Sequence, residues 1–178
     1  MENRLQSLHP ALLTDEKLLE ECELTTLRRS GPGGQNRNKV ETAVVFKHLP
    51  TGIQAQASER RSQGENRSVA LKRLREGLAI GVRSPKMSDE WQADYRKSER
   101  WEAHLSSGKI SLSRDSSDFP YLLAELLDFL AWEQGDLNRT ALYLATTASQ
   151  IVRVLRQEPA AFRWVNQQRS TLGLPPLR

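Results

Sequence analysis

The chain has 178 residues, 38% hydrophobic and 27% charged, a composition that indicates a folded globular protein and excludes disorder and membrane-spanning helices. Its one cysteine, Cys22, excludes an internal disulfide framework, and with only 3 histidines neither a zinc site nor another metal site is expected. The N-terminal residues lack the apolar core of a signal peptide and are too acidic for a transit peptide, so we expect a cytoplasmic protein without a membrane partner.

The net charge of +4 is unevenly distributed. Residues 1–23 carry a net charge of −4, residues 24–83 a net charge of +8, and residues 84–178 a net charge of 0. A basic segment of this kind indicates a polyphosphate partner, usually nucleic acid, and a solvated charged surface is the alternative. Its basic side chains include Arg28, Arg29, Arg37, Lys39, Arg60, Arg61, Arg67, Lys72, Arg73 and Arg75.

The first predicted elements are a helix, a strand and a loop. Thr14, followed by Asp15 and Glu16, predicts a helix start, because acidic residues are favourable in the first turn. A strand is predicted over residues 23–28. Three glycines and a proline within four positions then predict a loop that presents its backbone rather than its side chains, in the segment Ser30-Gly31-Pro32-Gly33-Gly34-Gln35-Asn36.

The next elements complete a small sheet with a helix. Residues 43–49 and 53–57 predict two strands joined by a turn at Pro50-Thr51-Gly52. Residues 62–83 predict a helix, with Leu71, Leu74 and Leu78 on one face. A helix that packs across a small sheet gives an α+β unit that ends near residue 83.

The C-terminal half predicts helices. Residues 84–112 predict a polar, helical linker, whose Trp91, Tyr95 and Trp101 are expected to pack against a neighbouring element rather than to stack on bases. Apolar helices are predicted at residues 122–132, 139–146, 149–157 and 160–170. The predicted domains are a helical extension at 1–20, an α+β domain at 21–83, the linker at 84–112 and a helical domain at 113–178.

Two helices of that last domain have the spacing of a helix-turn-helix. The first ends at Ala141–Ala145, and the second is formed by Ser149–Leu155. The usual turn glycine is replaced by Ala145. A plain helical bundle is the alternative. It is favoured because motif matches of this length have many false positives. The polar residues Gln150, Arg153 and Arg156 would suit RNA or protein as well as DNA, and DNA regulation ranks last because the basic excess lies in the other half.

The glycine-rich loop belongs to a longer ordered string of residues. That string is Arg29-Ser30-Gly31-Pro32-Gly33-Gly34-Gln35, Asn38-Lys39, Ala43-Val44, His48-Leu49-Pro50-Thr51-Gly52-Ile53, Arg61-Ser62-Gln63, Asn66-Arg67, Ala70-Leu71 and Leu74-Arg75. It resembles the catalytic domain of bacterial class-I peptide chain release factors and of the stand-alone ribosome-rescue hydrolases that share this domain. The resemblance covers residues 21–83. The chain departs from the common family pattern at Pro32, Asn36-Arg37 and Val40.

The resemblance implies ribosome-dependent hydrolysis of the ester that joins a nascent peptide to tRNA, with Gly33, Gly34 and Gln35 as the catalytic residues. The backbone N–H of Gln35 would donate to an oxygen that becomes negative in the transition state. The Gln35 amide is neutral and cannot act as a general base. Ribosomal RNA and the tRNA ribose hydroxyl would supply the remaining chemistry, so the isolated protein should be nearly inert and no cofactor is expected.

Residues around the loop are expected to bind RNA or to support the loop. The block Arg61, Ser62, Gln63, Asn66 and Arg67 would brace the loop or contact RNA, with Ser62 favoured as a helix cap and Gln63 as a hydrogen-bond partner of the loop. The predicted RNA-binding residues are Arg28, Arg29, Arg37, Lys39, Arg61 and Arg67. The predicted loop-supporting residues are Ser30, Gly31, Pro32, Asn38, Ser62 and Gln63. His48, within a predicted strand, is expected to be a packed or a surface histidine rather than a catalytic one.

About 20 residues precede the predicted catalytic domain, too few for a stop-codon reader, so we predict codon-independent release of nascent chains from stalled ribosomes. The implied partners are the rRNA of the large-subunit peptidyl transferase centre and peptidyl-tRNA. A glutamine methyltransferase acting on Gln35, as in release factors that read stop codons, is a further candidate partner, and a monomer is expected. The alternative is a non-catalytic protein that docks on rRNA or tRNA while its helical tail recruits a partner; the intact Gly33-Gly34-Gln35 favours catalysis.

Overall fold

The computed structural model describes residues 9–27, 42–85 and 97–178, which form two compact units that meet between Val82 and Arg83 in the sequence. The predicted loop at residues 30–36 lies outside the described residues. The first unit contains a three-stranded antiparallel sheet with helices, and the second is helical apart from a short hairpin. The predicted α+β fold is therefore confirmed.

The first unit contains the predicted strands and helix, with ends that differ by one or two residues. In chain order its elements are a 3₁₀ helix at Pro10–Leu12, α1 (Asp15–Glu20), β1 (Cys22–Leu27), β2 (Ala43–His48), β3 (Gln54–Ala57) and α2 (Gln63–Gly81). The strand order is β1-β2-β3, and Phe46 in the central strand lies opposite Leu24 and Ala55.

The core of this unit lies between one face of the sheet and α2. Val44, Phe46 and His48 alternate with partly exposed residues along β2, as expected for a strand with one covered face. From α2, Leu74 and Leu78 are fully buried, whereas Leu71, predicted on the same face, is only partly buried. Burial of such side chains contributes roughly 1.5–3 kcal/mol each and holds the helix on the sheet.

The described N-terminal residues are hydrogen-bonded to α2. Thr14 caps α1 as predicted, accepting from the backbone of Lys17. Arg75, near the middle of α2, is 3% exposed and donates to the carbonyl oxygen of Ala11 at 2.8 Å. The ring of His9 donates through Nε2 to the carbonyl of Val82 at 3.2 Å. Residues 9–20 are therefore built into the first unit.

The other elements of the second unit pack around one apolar helix. Its elements are α3 (Glu99–Ala103), β4 (Leu105–Ser106), β5 (Lys109–Ile110), α4 (Phe119–Trp132), α5 (Leu137–Tyr143), α6 (Ala148–Leu155) and α7 (Pro159–Thr171). Nearly every residue of α4 is buried, and α4 packs against α5 and α7. The four predicted helices are thus confirmed. Among the described residues, no helix is both long enough and apolar enough to cross a membrane.

The segment predicted as a helical linker has mixed structure where it is described. Only α3 is helical there, and β4 and β5 pair as an antiparallel hairpin. Trp101 is 1% exposed, and its indole N–H donates to the carbonyl of Leu144 at 3.0 Å. Its predicted packing role is confirmed, because a buried indole is inaccessible to bases, while Trp91 and Tyr95 lie outside the described residues.

Candidate functional site

The candidate site is built on the connection between β1 and β2. Leu27, the last residue of β1, lies opposite Ala43, the first residue of β2, so the segment 28–41 starts and returns at the same end of the sheet. The predicted residues Arg28, Arg29, Ser30, Gly31, Pro32, Gly33, Gly34, Gln35, Arg37, Asn38 and Lys39 all lie outside the described residues. Arg61, Ser62, Gln63 and Arg67 are described.

Asn66 occupies the base of this connection. Its side chain is fully buried, and its Nδ2 donates to the carbonyl of Thr42 at 2.6 Å and to the carbonyl of Arg60 at 3.1 Å. Its Oδ1 accepts from the backbone N–H of Arg60 at 2.9 Å. Both amide hydrogens and the amide oxygen therefore have partners, and Asn66 joins the start of β2 to the turn that precedes α2.

Ser62 and Gln63 begin α2. Ser62 is the N-cap, and its Oγ accepts from the backbone of Glu65 at 3.5 Å. This is the capping role that the sequence favours, and it satisfies one of the donors that a helix start leaves without a partner. Gln63 is the first residue of the helix and is exposed. Their predicted support of the loop stays a prediction.

The described cations of the basic segment have different environments. Arg61 is exposed, and Arg67, also exposed, holds its guanidinium 5.5 Å from the centre of the Phe46 ring. Arg73 pairs with Glu59 at 2.6 Å, and Arg75 is buried. The basic segment therefore presents fewer cations to a partner than the count of its residues suggests.

The Glu59 carboxylate is stabilised in its charged form. The backbone N–H groups of Glu59 itself and of Ser58 lower the pKa of the Glu59 carboxyl, and the Arg73 guanidinium lowers it further. Arg73 also donates to the carbonyl of Gln56 at 2.8 Å. This surface pair links the segment that follows β3 to α2.

His48 is a packed histidine, one of the two alternatives that the sequence leaves open. It is 1% exposed at the end of β2, and its Nε2 donates to the Glu21 carboxylate at 2.8 Å. Its Nδ1 lies 2.8 Å from the hydroxyl oxygen of Thr51, which in turn accepts from the backbone of Ile53. The ring thus fastens the turn between β2 and β3 to the end of α1.

The two helices with helix-turn-helix spacing, α5 and α6, contact each other, and one face of α6 is hydrogen-bonded within the unit. Ala145, at the position of the usual turn glycine, has a φ of 51°, in the left-handed region that glycine favours. Polar side chains at one face of α6 and its flanks bind the backbone of residues 108–112, which run from the hairpin turn through β5. The bonds are Thr146 to Gly108 O, Gln150 from Ile110 N, Arg153 to Ile110 O, and Gln157 to Leu112 O.

These hydrogen bonds are evidence against the hypothesis that α6 binds DNA. A recognition helix reads base edges with polar side chains on its outer face. Here Gln150 and Arg153 are used inside the unit, and only Arg156 of the three predicted contact residues is exposed without a described partner. The arrangement favours a structural role for α6. Among the described residues, no cluster of three or more His, Cys, Asp or Glu side chains is placed to bind a metal ion.

Comparison with known proteins defines the family. The profile of the RF-1 domain matches residues 17–120, more than half of the chain, and spans the sheet, α2 and the described candidate residues. The chain therefore belongs to the class-I peptide chain release factor family, as the motif string predicts.

Individual relatives show how far the similarity extends. Peptide chain release factor 1 of Chloroherpeton thalassium is 40% identical over 101 residues, which are 57% of this chain and 26% of that protein. The mouse mitochondrial translation release factor in rescue is 40% identical over 97 residues, 52% of this chain and 50% of that protein. Peptide chain release factor 2 of Variovorax paradoxus is 55% identical over 53 residues. The chain thus spans about a quarter to a half of the first two relatives.

Sequence reasoning did not assign specific roles to Asn66 and Arg75. Asn66 is placed in the motif without a choice between loop bracing and RNA contact, and Arg75 is counted as part of the basic surface. A weak signal exists for Asn66, because asparagine is a poor residue inside a helix and such a residue often has a tertiary hydrogen bond. Arg75 lies four residues after Leu71 and three before Leu78, so helical spacing places it beside the apolar face, but its charge does not predict burial.

Proposed function

We propose that this protein hydrolyses the ester of peptidyl-tRNA on the ribosome, independently of the codon, and so releases nascent chains from stalled complexes. The observation that carries the proposal is the RF-1 domain match over residues 17–120, which includes Gly33, Gly34 and Gln35. The resemblance to release factors supports the reaction. The similarity to a relative named for rescue, of which the chain covers half, supports action on stalled ribosomes.

In the proposed reaction, water adds to the ester carbonyl carbon, the bond to the terminal ribose oxygen breaks, and that oxygen leaves with a proton. Negative charge develops on the carbonyl oxygen and on the leaving oxygen. The backbone N–H of Gln35 would donate to this charge, and loss of one such donor typically costs about 2.7–4 kcal/mol of transition-state stabilisation. Gly33 and Gly34 would let the backbone enter a crowded RNA cavity, since they carry no side chains.

Exposed cations next to the loop would bring it to the RNA. Arg61 and Arg67 are exposed near the start of α2, and Arg28, Arg29, Arg37 and Lys39 flank the catalytic residues in sequence. Contacts with phosphates would fix position and orientation without reading sequence, as a codon-independent factor requires. Gln35 is the site at which a glutamine methyltransferase would act.

The test is peptide release from purified ribosomes that hold peptidyl-tRNA, with the mRNA ending in the P site or continuing beyond it. We expect release by the wild type on both complexes without a stop codon, and at least 100-fold slower release by Gly34→Ala at saturating protein. Gly64→Ala in α2 is the matched control, because an added Cβ there would make an ordinary 3.6 Å contact with Ser62 Oγ. Equal release by wild type and Gly34→Ala would defeat the catalytic assignment of the loop, whereas absence of release above the protein-free background by the wild type would favour the docking alternative.

A further inference from the structure

We propose that Asn66 is a positioning residue for this release reaction, because its carboxamide fixes Thr42, where the chain that carries Gly33, Gly34 and Gln35 rejoins the sheet. The inference rests on the proposed function and extends it to a residue remote from the ester. It depends on three hydrogen bonds of one buried side chain to the backbone of two segments.

The hydrogen bonds of Asn66 connect segments that are distant in the sequence. Thr42 lies 24 residues before Asn66, and Arg60 lies 6 residues before it. A buried amide whose hydrogens and oxygen are all bonded can adopt only one orientation, since rotation by 180° would bring N–H groups against a donor and an oxygen against two carbonyls. Asn66 therefore holds the Thr42 carbonyl at a defined position relative to α2.

Two sets of contacts fix the end of the connection between β1 and β2. On the β1 side, Ala43 pairs with Leu27, so the strand ladder fixes the two ends of the connection relative to each other. On the helix side, Asn66 bonds Thr42, the residue before Ala43, and so fixes it to α2. The bond at 2.6 Å therefore adds a second contact beside the last pair of the strand ladder.

This constraint matters for a reaction that depends on an aimed backbone donor. Displacement of a reacting group by about 1 Å can slow a reaction on the order of 100-fold. Loss of the Asn66 bond to Thr42 should therefore lower the rate of release from the bound complex more than it lowers the affinity for the ribosome. A merely structural role would instead reduce the fraction of folded protein and leave the rate per folded molecule unchanged.

The experiment compares Asn66→Asp and Asn66→Ala in the full chain. Asn66→Asp keeps an oxygen for the backbone N–H of Arg60 but replaces the two N–H donors, so it removes the bonds to the carbonyls of Thr42 and Arg60. Asn66→Ala removes all three bonds. The control is Asp15→Asn, which weakens the contact with buried Arg75 in the same unit without touching Thr42.

We expect both Asn66 variants to release peptide about 100-fold more slowly at saturating protein, with half-saturation within threefold of wild type. Asp15→Asn should release at the wild-type rate per folded molecule. The ¹³C shift of the Thr42 carbonyl should move upfield in both Asn66 variants, whereas the Arg60 amide should exchange faster only in Asn66→Ala.

Wild-type release rates in Asn66→Asp, beside inactive Gly34→Ala, would overturn the role of Asn66 and leave the proposed function intact. Absence of release by the wild type itself would overturn the proposed function and, with it, the role of Asn66 in release. An unchanged Thr42 carbonyl shift in folded Asn66→Asp would overturn the positioning contact independently of any activity.

Discussion

Arg75 and Asp15 form an ion pair that joins α2 to the start of α1, with 2.6 Å between Nη2 of Arg75 and Oδ1 of Asp15. The guanidinium is buried and the carboxylate is 58% exposed at its side chain. Arg75 also donates to the carbonyl of Ala11. A cation that contributes to the net charge of the basic segment is therefore a structural residue.

Arg75→Met should destabilise the first unit by about 1–3 kcal/mol, because the buried carbonyl of Ala11 loses a charged donor. The effect can be followed through Cys22, the protein's one cysteine, which lies in β1 and whose thiol has its pKa raised by burial. Labelling of Cys22 in increasing denaturant reports the unfolding of this unit alone. An unchanged denaturation midpoint in Arg75→Met would contradict the structural role of Arg75. The control is Lys17→Met, which changes an exposed residue of α1.

His104 should make the stability of the second unit depend on pH. Its Nδ1 donates to the Ser111 carbonyl at 2.7 Å and its Nε2 to Asp118 at 3.1 Å, which requires the protonated ring. These bonds, led by the one to Ser111, raise the pKa of His104 above its ordinary value of 6.5. The folded state therefore binds the proton more tightly than the unfolded state.

The free energy of unfolding should consequently be highest below pH 6.5 and should fall as pH rises through the raised pKa of His104. All four tryptophans follow residue 83, so tryptophan fluorescence during denaturation reports on the second unit. His104→Asn should abolish this part of the pH dependence. If the free energy of unfolding of His104→Asn falls with pH at the same slope as that of the wild type, the pH dependence belongs to another titratable group.

Arg153→Ala should destabilise the second unit by about 1–2 kcal/mol, because the carbonyl of Ile110 loses its donor and the segment 108–112 loses a contact with α6. Arg156→Ala, in the residue that follows the same helix, removes an equal charge from an exposed position and should change stability by less than about 0.5 kcal/mol. Tryptophan fluorescence melts compare the two. Equal effects would mean that the Ile110 contact contributes nothing.

Arg61 should contribute to the salt dependence of ribosome binding. If its exposed guanidinium contacts one RNA phosphate, Arg61→Gln should lower the slope of log affinity against log salt by roughly 0.7–0.9. The double variant Glu59→Gln/Arg73→Gln removes a surface ion pair without changing the net charge, so its slope should stay at the wild-type value. Binding to ribosomes across a salt series measures both, and an unchanged slope in Arg61→Gln would exclude that contact.

Much of the fold follows from local patterns. Alternation along Ile53–Ala57 and the apolar spacing of Leu74 and Leu78 predict a strand and a helix, because periods of 2 and 3.6 residues each suit one kind of covered face. Thr14 and Ser62 predict helix starts, because a hydroxyl before an acidic turn satisfies the backbone locally. The family string around Gly33-Gly34-Gln35 is likewise contained in the order of residues.

Other features depend on contacts between segments that are distant in the sequence. Residues 108–112 lie along α6 because Gln150 and Arg153 satisfy the backbone of Ile110, and no periodic pattern encodes such pairs. The same limitation makes Arg153, which bonds the Ile110 carbonyl, indistinguishable by sequence from Arg156.

The order of residues by itself determined the α+β class, the helices and strands, and the family motif, since each depends on neighbours within a few positions. Only the tertiary structure decided that Arg75 is buried against Asp15 and that Asn66 holds Thr42, because hydrogen bonds across 60 and 24 residues arise from the packed chain. Contacts made in the packed chain then separate cations that stabilise the fold from cations whose charge stays at the surface.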